Sequence, residues 1–194
     1  MRDLTTHYTR PEMIPMKNIR KTVREAAALL LALASLAAFA GCKDDGIPRN
    51  MTSAAADSEP FYFYVPKSWV VNTSGGTASA YYSAADRSNV SLTAMVMDTG
   101  LDTLDLYMEN VDKTLAGALP AYSKLTEPAG TVLGGLAAKT YDYRAELDGT
   151  VYKFRQTVTV KGYDFFIFTY TSTEEDFDSH LEDVESILTY ISFK

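Results

Sequence analysis

The feature that most constrains the fold is a pair of alternating segments joined by a two-residue turn. Residues 138–147 and 150–160 each alternate apolar and polar side chains, which is typical of a β-strand with two different faces. Asp148-Gly149 between them is a residue pair that tight hairpin turns favour. The apolar face carries Tyr141, Tyr143, Ala145, Leu147, Tyr152, Phe154, Val158 and Val160. The opposite face carries Thr140, Asp142, Arg144, Glu146, Lys153, Arg155, Thr157 and Thr159.

The segment after this hairpin is apolar on both faces. Within residues 163–171, Phe165 and Ile167 lie on one face, and the other face carries Phe166, Phe168 and Tyr170. An antiparallel strand of this kind needs cover on both sides. Residues 102–119 and 174–190 place apolar side chains at helical spacing and can supply that cover. The sequence therefore predicts an α+β fold, an antiparallel β-sheet with helices packed on its faces as an α/β/α sandwich.

The first forty-one residues have the composition of a secretory signal peptide. Residues 17–24 contain four Lys and Arg and no acid, and residues 26–40 contain no charge and no strong helix breaker. A helix over that run would be about 22 Å long, shorter than a ~30 Å hydrocarbon core. The alternative, a buried core helix, would need cover on every side. Residues 1–15 precede a second candidate start codon at Met16. We interpret them as the result of a start assigned too far upstream, or as a dispensable extension.

The end of this segment, Phe39-Ala40-Gly41-Cys42, resembles the lipobox of bacterial lipoproteins. In that family the Cys thiol receives a diacylglyceryl group and a peptidase cuts just before it; Phe39 departs from the usual Leu. Cys42 is the only cysteine, which excludes an intramolecular disulfide framework and a Cys₄ zinc site. A small buried hydrophobe is the alternative. The resemblance implies lipidation of Cys42, membrane attachment through that lipid and an extracytoplasmic location.

Removal of residues 1–41 would leave an acidic chain with 12 Lys and Arg, 22 Asp and Glu, and a net charge of −10. This balance argues against nucleic acid as a partner, because phosphate binding needs a concentration of cations. Residues 42–59 are small and polar, and predict a lipidated N-terminus with a flexible linker. Residues 60–194 are aromatic and β-branched, and predict a single domain.

The order of elements from Pro60 to Lys194 resembles the PsbP-like family, which is related to the DcrB-type envelope lipoproteins. The resemblance rests on an aromatic strand followed by Val65-Pro66-Lys67-Ser68-Trp69, and on Gly134-Gly135 before a Tyr-rich strand. It continues with Gly162-Tyr163 before an aromatic strand and with a final helix containing Asp183-Val184-Glu185. It implies an antiparallel sheet between helices. The family includes a photosystem extrinsic subunit, assembly roles and many lipoproteins, and it supplies no shared catalytic motif.

Few residues are candidates for catalysis. His180 is the only histidine after cleavage, and the helical spacing predicts that it lies at the boundary of the second helix. A serine such as Ser74 would have to be brought to it, and no Gly-x-Ser-x-Gly elbow is present. Gly75-Gly76 and Gly134-Gly135 precede predicted strands, which favours tight turns over phosphate loops.

Two acidic runs are the candidates for a metal site. Residues 174–178 and 98–105 contain carboxylates, which Ca²⁺ prefers as ligands. Acids are also expected in the first turn of a helix, and neither run has EF-hand spacing. Asp102 is the predicted N-cap of the first helix, and Thr173 with Asp176 resembles a capping box at the second. We therefore assign no catalytic, cofactor-binding or metal-binding residue.

The remaining signal is an excess of aromatic residues after residue 60. Most are expected in the core, whereas Trp69, on a predicted loop, is a candidate for a partner or ligand surface. The sequence thus favours a lipid-anchored envelope protein that is not an enzyme and acts as a binding or assembly module without a cofactor. Two alternatives stay open, a hydrolase using the carboxylates of 98–105 and 174–178, and a lipoprotein that binds a small molecule.

Overall fold

An eight-stranded antiparallel sheet organises the computed structural model, which describes residues 46–73, 78–97 and 103–194. The strands are β1 (Met51–Ser53), β2 (Phe61–Tyr62), β3 (Tyr64–Pro66), β4 (Val70–Asn72), β5 (Ala78–Tyr81), β6 (Asn89–Val96), β7 (Ser123–Lys124), β8 (Ala129–Leu133), β9 (Leu136–Leu147), β10 (Thr150–Lys161), β11 (Asp164–Thr173) and β12 (Ser192–Phe193). The helices are α1 (Leu104–Ala118), a 3₁₀ helix (Phe177–His180) and α2 (Leu181–Thr189). The sheet order is β4-β5-β6-β11-β10-β9, with β7 and β8 both paired to the outer edge of β9. Two short ladders, β1-β3 and β2-β12, lie outside this sheet.

The long hairpin predicted from the alternating pattern is confirmed. β9 and β10 pair in antiparallel register on both sides of Asp148-Gly149. These two residues have φ values of 50° and 81°, as the favoured two-residue hairpin turn requires. The register places Asp142 directly opposite Arg155. The turn therefore decides which polar side chains of the two strands meet.

The predicted three layers are also confirmed, because β11 lies inside the sheet between β6 and β10 and is covered on both faces. On one side, called the α2 face, it is covered by α2, the 3₁₀ helix and the β1–β3 segment, and the rings of Phe63 and Phe168 pack edge to face 6.3 Å apart. On the other side, the α1 face, the ring of Tyr107 lies 4.3 Å from Phe165. The architecture is the expected α+β sandwich.

Helix α1 is capped by Thr103. The Thr103 hydroxyl accepts a hydrogen bond from the Leu106 N–H at 3.2 Å, which satisfies one of the donors that a helix start leaves free. Thr103 is three positions before Leu106, which is the spacing of an N-cap side chain and the N–H that it binds. The predicted cap, Asp102, lies outside the described residues. The helix attaches to the sheet through its buried side chains Tyr107, Met108 and Leu115.

The second helical segment is shorter than the predicted helix over 174–190. The Thr173 hydroxyl accepts from the Asp176 N–H at 3.2 Å and donates to the Asp176 carboxylate at 2.9 Å. This local pairing forms a turn ahead of the 3₁₀ helix, in place of the predicted capping box. The Tyr170 hydroxyl donates to the Phe177 carbonyl at 2.9 Å, so the sheet holds the 3₁₀ turn before α2 begins.

The domain begins earlier than predicted, inside the segment 42–59 that the sequence predicts as linker. β1 lies in this segment and pairs with β3. Ala54 is fully buried, and its N–H donates to the Phe63 carbonyl at 2.8 Å. The Lys67 N–H donates to the Asn50 carbonyl at 2.9 Å. The chain is part of the fold from Asn50 onward, because backbone pairing fixes a strand too short to show an apolar period.

Candidate functional site

A groove of about 460 Å³ lies on the α2 face, near the outer edge of the sheet. Helix α2 buries Val184 and Ile187 in the same cluster as residues of β6 and β11. β9 and β10 extend beyond this cover and form the groove floor, while β8 and the loop before it form the far wall. Side chains that the site depends on are Thr131, Thr140, Asp142, Arg155, Glu185 and Leu188.

Arg155 on the groove floor is held by two carboxylates. Its Nε and Nη2 lie 2.8 and 3.1 Å from the two carboxylate oxygens of Asp142, which is a bidentate ion pair. Its Nη1 lies 3.3 Å from Glu185 Oε1, so the same guanidinium links α2 to the sheet. Hydrogen bonding to Asp142 raises the pKa of Arg155. Glu127 also lines the groove, but its carboxylate pairs with Lys124 Nζ at 2.9 Å. Asp142 and Glu185 share one guanidinium, which leaves the groove an excess of negative charge.

Asp142 also positions the far wall. Its backbone carbonyl accepts hydrogen bonds from the N–H groups of Leu125 and Thr126, at 2.8 and 3.2 Å. Its own N–H donates to the Thr126 hydroxyl at 2.8 Å. On the floor, the hydroxyl groups of Thr157 and Thr140 are hydrogen-bonded at 3.0 Å. The side chain of Asp142 therefore orders the floor, and its backbone orders the loop that leads into β8.

Strand β8 forms the outer wall and turns directly into β9 through Gly134-Gly135. These residues have φ values of 58° and 80°, which confirms the predicted tight turn. A Cβ atom on Gly134 would lie 2.3 Å from Cε2 of Phe193, so the turn packs against this ring without room for a side chain. The first four residues of β8 are exposed. The groove is therefore open toward this strand.

A second concavity of about 620 Å³ lies on the α1 face, between α1 and β9. Ion pairs cross it: Lys139 pairs with Asp105, and Lys124 Nζ lies 3.5 Å from the Asp112 carboxylate. The Tyr122 hydroxyl donates to Asp112 at 2.5 Å. Burial and this hydrogen bond raise the pKa of Tyr122. These contacts fasten α1 to the sheet, so the concavity is a seam between the two layers.

His180 lies in an aromatic cluster next to the β5–β6 loop. Its Nε2 is 2.6 Å from Asp86 Oδ2, and its ring centroid is 4.0 Å from that of Tyr82. Burial raises the pKa of Asp86, but hydrogen bonds from Ser88 and His180 outweigh it and hold that pKa below its usual value. His180 is buried and lies where the 3₁₀ helix meets α2, as predicted for a boundary histidine.

Trp69 is part of the core, which corrects the prediction that it belongs to an exposed surface. It is only 3% exposed and packs edge to face on the ring of Tyr82, with the centroids 5.7 Å apart. Its Nε1 donates to the Asp183 carboxylate at 2.9 Å. The loop that carries Trp69 therefore turns inward, because α2 provides an acceptor for the indole N–H.

The two acidic runs do not meet. Asp105 pairs with a lysine of β9 on the α1 face. On the α2 face, Glu174 Oε1 lies 3.6 Å from Arg144 Nη1, and Asp178 Oδ1 lies 3.6 Å from Lys153 Nζ. In the part of the chain that the structure describes, no three His, Cys, Asp or Glu side chains are grouped to hold a metal ion. Asp105, Glu174 and Asp178 thus contact cations of the sheet, whereas Asp176 pairs with Thr173.

Several predicted features lie outside the described residues. They are the segment 1–41, Cys42, Ser74, Gly75-Gly76, Asp98 and Asp102. Among the helices of the described ranges, none has the length and apolarity needed to cross a bilayer. Lipid attachment at Cys42 therefore stays a prediction.

Solved structures place this arrangement of strands and helices among known folds. The cyanobacterial PsbP of Synechocystis sp. PCC 6803 (CyanoP) matches with a TM-score of 0.56 and 15% identity, over 80% of this chain and 98% of that protein. The domain has a PsbP-like fold. This PsbP-like fold is also similar to the Saccharomyces cerevisiae Ran-binding protein Mog1p, with a TM-score of 0.52 and 8% identity over 74% of this chain and 95% of that one. A Pseudomonas aeruginosa protein of unknown function, PA94, matches with a TM-score of 0.50 and 17% identity, over 73% of this chain and 95% of that protein.

No protein-family model and no curated protein matches this sequence. At the identities of these structural matches, the similarity establishes the PsbP-like fold, and function has to be argued from the residues. The groove was not predicted from the sequence, although the pairing of two of its residues could have been. A turn at 148–149 pairs residues symmetrically about itself and so places Asp142 opposite Arg155. No local pattern in the sequence indicates that Glu185 also pairs with Arg155.

Proposed function

We propose that this chain is a lipid-anchored extracytoplasmic protein whose PsbP-like domain is a non-catalytic binding module for a partner protein. The observation that carries the proposal is the groove between α2 and β8, which is open along an exposed strand. Its floor charges are engaged with one another through Arg155, so they fix the shape of the site. A shaped and open site of this size is suited to recognition.

The fold is compatible with such a role in at least one other protein. Mog1p is a Ran-binding protein, so a domain of this architecture has a protein partner there. Its identity to this chain is 8%, and the argument for this chain therefore rests on the groove. We propose no partner by name, because recognition depends on side chains and a likeness at 8% identity concerns the fold.

The anchor is supported by the lipobox-like segment that ends at Cys42, and the early start of the domain sets its distance from that anchor. Asn50, which already bonds to Lys67, lies eight positions after Cys42. Eight extended residues reach at most about 29 Å. Two acyl chains hold a protein stably on a bilayer, whereas one binds reversibly. In this proposal the domain stands close to the membrane, and its acidic surface is repelled by anionic headgroups.

Mass spectrometry of the protein purified from its native membrane tests the anchor. We expect a chain that begins at Cys42 and carries a diacylglyceryl group on the thiol. A Cys42→Ser variant should move to the soluble fraction while its circular dichroism spectrum stays unchanged. An isolated protein that retains residues 1–41 and a free thiol would contradict the anchor.

Site-specific photocrosslinking in intact cells tests the binding role. A photoreactive phenylalanine analogue at Thr131, on the groove wall, should give discrete adducts with a partner protein. The matched control is the same analogue at Ala84, which is exposed on the β5–β6 loop across the sheet. Adducts at Thr131 and none at Ala84 support the proposal. Equal adducts at both positions, or none at either, would show that the groove is not a partner site.

A further inference from the structure

The outer edge of β8 presents backbone groups that no strand of the described ranges pairs with. The pair Leu133↔Leu136 closes the two-residue turn into β9, and such a closing pair is hydrogen-bonded. Bonded and non-bonded residues then alternate along an antiparallel pair. The N–H and C=O groups of Gly130 and Val132 therefore point away from β9, toward a position where a further strand would lie.

β8 lacks the features that usually protect a sheet edge. Its sequence is AGTVL, with no charged residue and no proline, and Val132 is 64% exposed. Natural edges are usually covered, interrupted or lined with charges and proline, because an open edge templates pairing with another chain. Lys124 and Pro128 lie just before β8, so the unprotected part of this edge is confined to β8. At the opposite edge, β4 is only three residues long.

The groove beside β8 would receive side chains of an added strand. Successive side chains of a strand point to opposite faces, so every second residue of an added segment lies on the α2 face. There it meets the carboxylates of Asp142 and Glu185, which share the single guanidinium of Arg155 and leave an excess of negative charge, while Glu127 pairs with Lys124. A Lys or Arg side chain is the complement of this lining. On the α1 face, an apolar side chain would lie next to Val132.

Charge decides against a second copy of this chain as the occupant. Residues 46–194 contain 11 Lys and Arg and 20 Asp and Glu, a net charge of −9, so two copies repel each other. The β8 sequence also offers no cation to the groove of a neighbour. The same net charge attracts a basic segment and raises its association rate.

We propose that β8 binds an extended segment of a partner protein as an additional antiparallel strand, with Lys or Arg side chains of that segment directed into the groove. This inference rests on the proposed binding function and names the mode and chemistry of recognition. Main-chain hydrogen bonds at Gly130 and Val132 supply affinity, and the carboxylates of the groove select a basic segment.

Calorimetric titration of the purified full-length protein with a synthetic ten-residue peptide of alternating Lys and Val tests the proposal. We expect binding that weakens with added salt, and none with the matched peptide of alternating Glu and Val. Val132→Pro removes the outward N–H without removing a bond to β9, and should weaken binding about tenfold. Val132→Ala keeps that N–H and should change affinity by less than about threefold.

Hydrogen exchange of the wild-type protein gives a second readout that does not depend on the folding of a variant. Addition of the Lys-Val peptide should slow exchange of the Gly130 and Val132 amides, while the Thr131 amide, bonded to β9, is already protected. The absence of peptide binding, equal binding by Val132→Pro, or protection confined to other strands would overturn the proposal. A dimer that Val132→Pro dissociates would also overturn it, in favour of a second copy. Partner adducts at Thr131 without peptide binding would reject the proposed strand addition and leave the proposed binding function in place.

Discussion

Alanine at Gly134 tests the contact between the β8–β9 turn and the ring of Phe193. The Cβ atom would lie 2.3 and 2.7 Å from two ring carbons, at a backbone φ of 58°. The left-handed backbone costs alanine about 1 kcal/mol relative to glycine. The ring must also shift from its position beside Phe166, whose centroid is 4.3 Å distant, and the lost packing costs a further ~1.5–3 kcal/mol. We expect Gly134→Ala to lower the free energy of unfolding by about 2.5–4 kcal/mol.

Gly135→Ala is the matched control. Gly135 has a φ of 80°, but its Cβ would meet nothing within 4 Å. Only the backbone penalty of about 1 kcal/mol is then expected. Urea denaturation followed by circular dichroism measures both values, and in a domain of this size each kcal/mol corresponds to a shift of about 2–4 °C in Tm.

Equal losses at the two glycines would refute the steric account. A double-mutant cycle with Phe193 tests the steric clash directly. In a Phe193→Ala background, the ring that obstructs position 134 is gone, so Gly134→Ala should be no more destabilising than Gly135→Ala. A larger loss that persists in this background would place the strain in the turn itself.

Three further predictions concern the Asp86–His180 and Asp142–Arg155 pairs. His180→Ala removes ring contacts and leaves the Asp86 carboxylate with Ser88 as its remaining partner, and urea denaturation should show a loss of about 2–3 kcal/mol; no change would mean that the cluster is not coupled to folding. Because the pKa of Asp86 is lowered in the fold, its ionised form stabilises the domain above about pH 4, and this contribution is lost as pH falls through the lowered value. Acid titration of Asp86→Asn should therefore show a weaker dependence of stability on pH below about 4 than the wild type, and parallel curves would contradict this reasoning. Arg155→Ala leaves the buried carboxylate of Asp142 unpaired and should cost about 2–3 kcal/mol in the same denaturation assay, with Arg155→Lys intermediate; equal stability of all three proteins would show that the ion pair does not hold the floor.

Much of the sheet could be predicted because its signals are local. Alternation over 138–160 and the turn at Asp148-Gly149 determine both the existence of the central hairpin and its register. The two apolar faces of residues 163–171 require cover on both sides, and that requirement alone leads to three layers. Each of these inferences uses residues within a single strand or turn.

The features that could not be predicted depend on contacts between distant residues. Trp69 is buried because its indole meets Asp183, 114 positions away in the sequence. β1 and β8 are short and lack a strong alternating pattern, and each exists because a partner strand supplies its hydrogen bonds. The groove requires α2 to stop short of β9, which depends on the packing of Val184 and Ile187 rather than on any motif.

The position of the single tryptophan gives this protein an internal optical reporter. Trp69 is bonded to Asp183, whereas Arg155 holds Glu185 on the side of the same helix that lines the groove. Detachment of α2 would expose the indole to water and shift its emission to longer wavelengths. Occupation of the groove leaves the indole in its apolar surroundings. Emission spectra can therefore tell a protein that has captured a ligand from one that has begun to unfold.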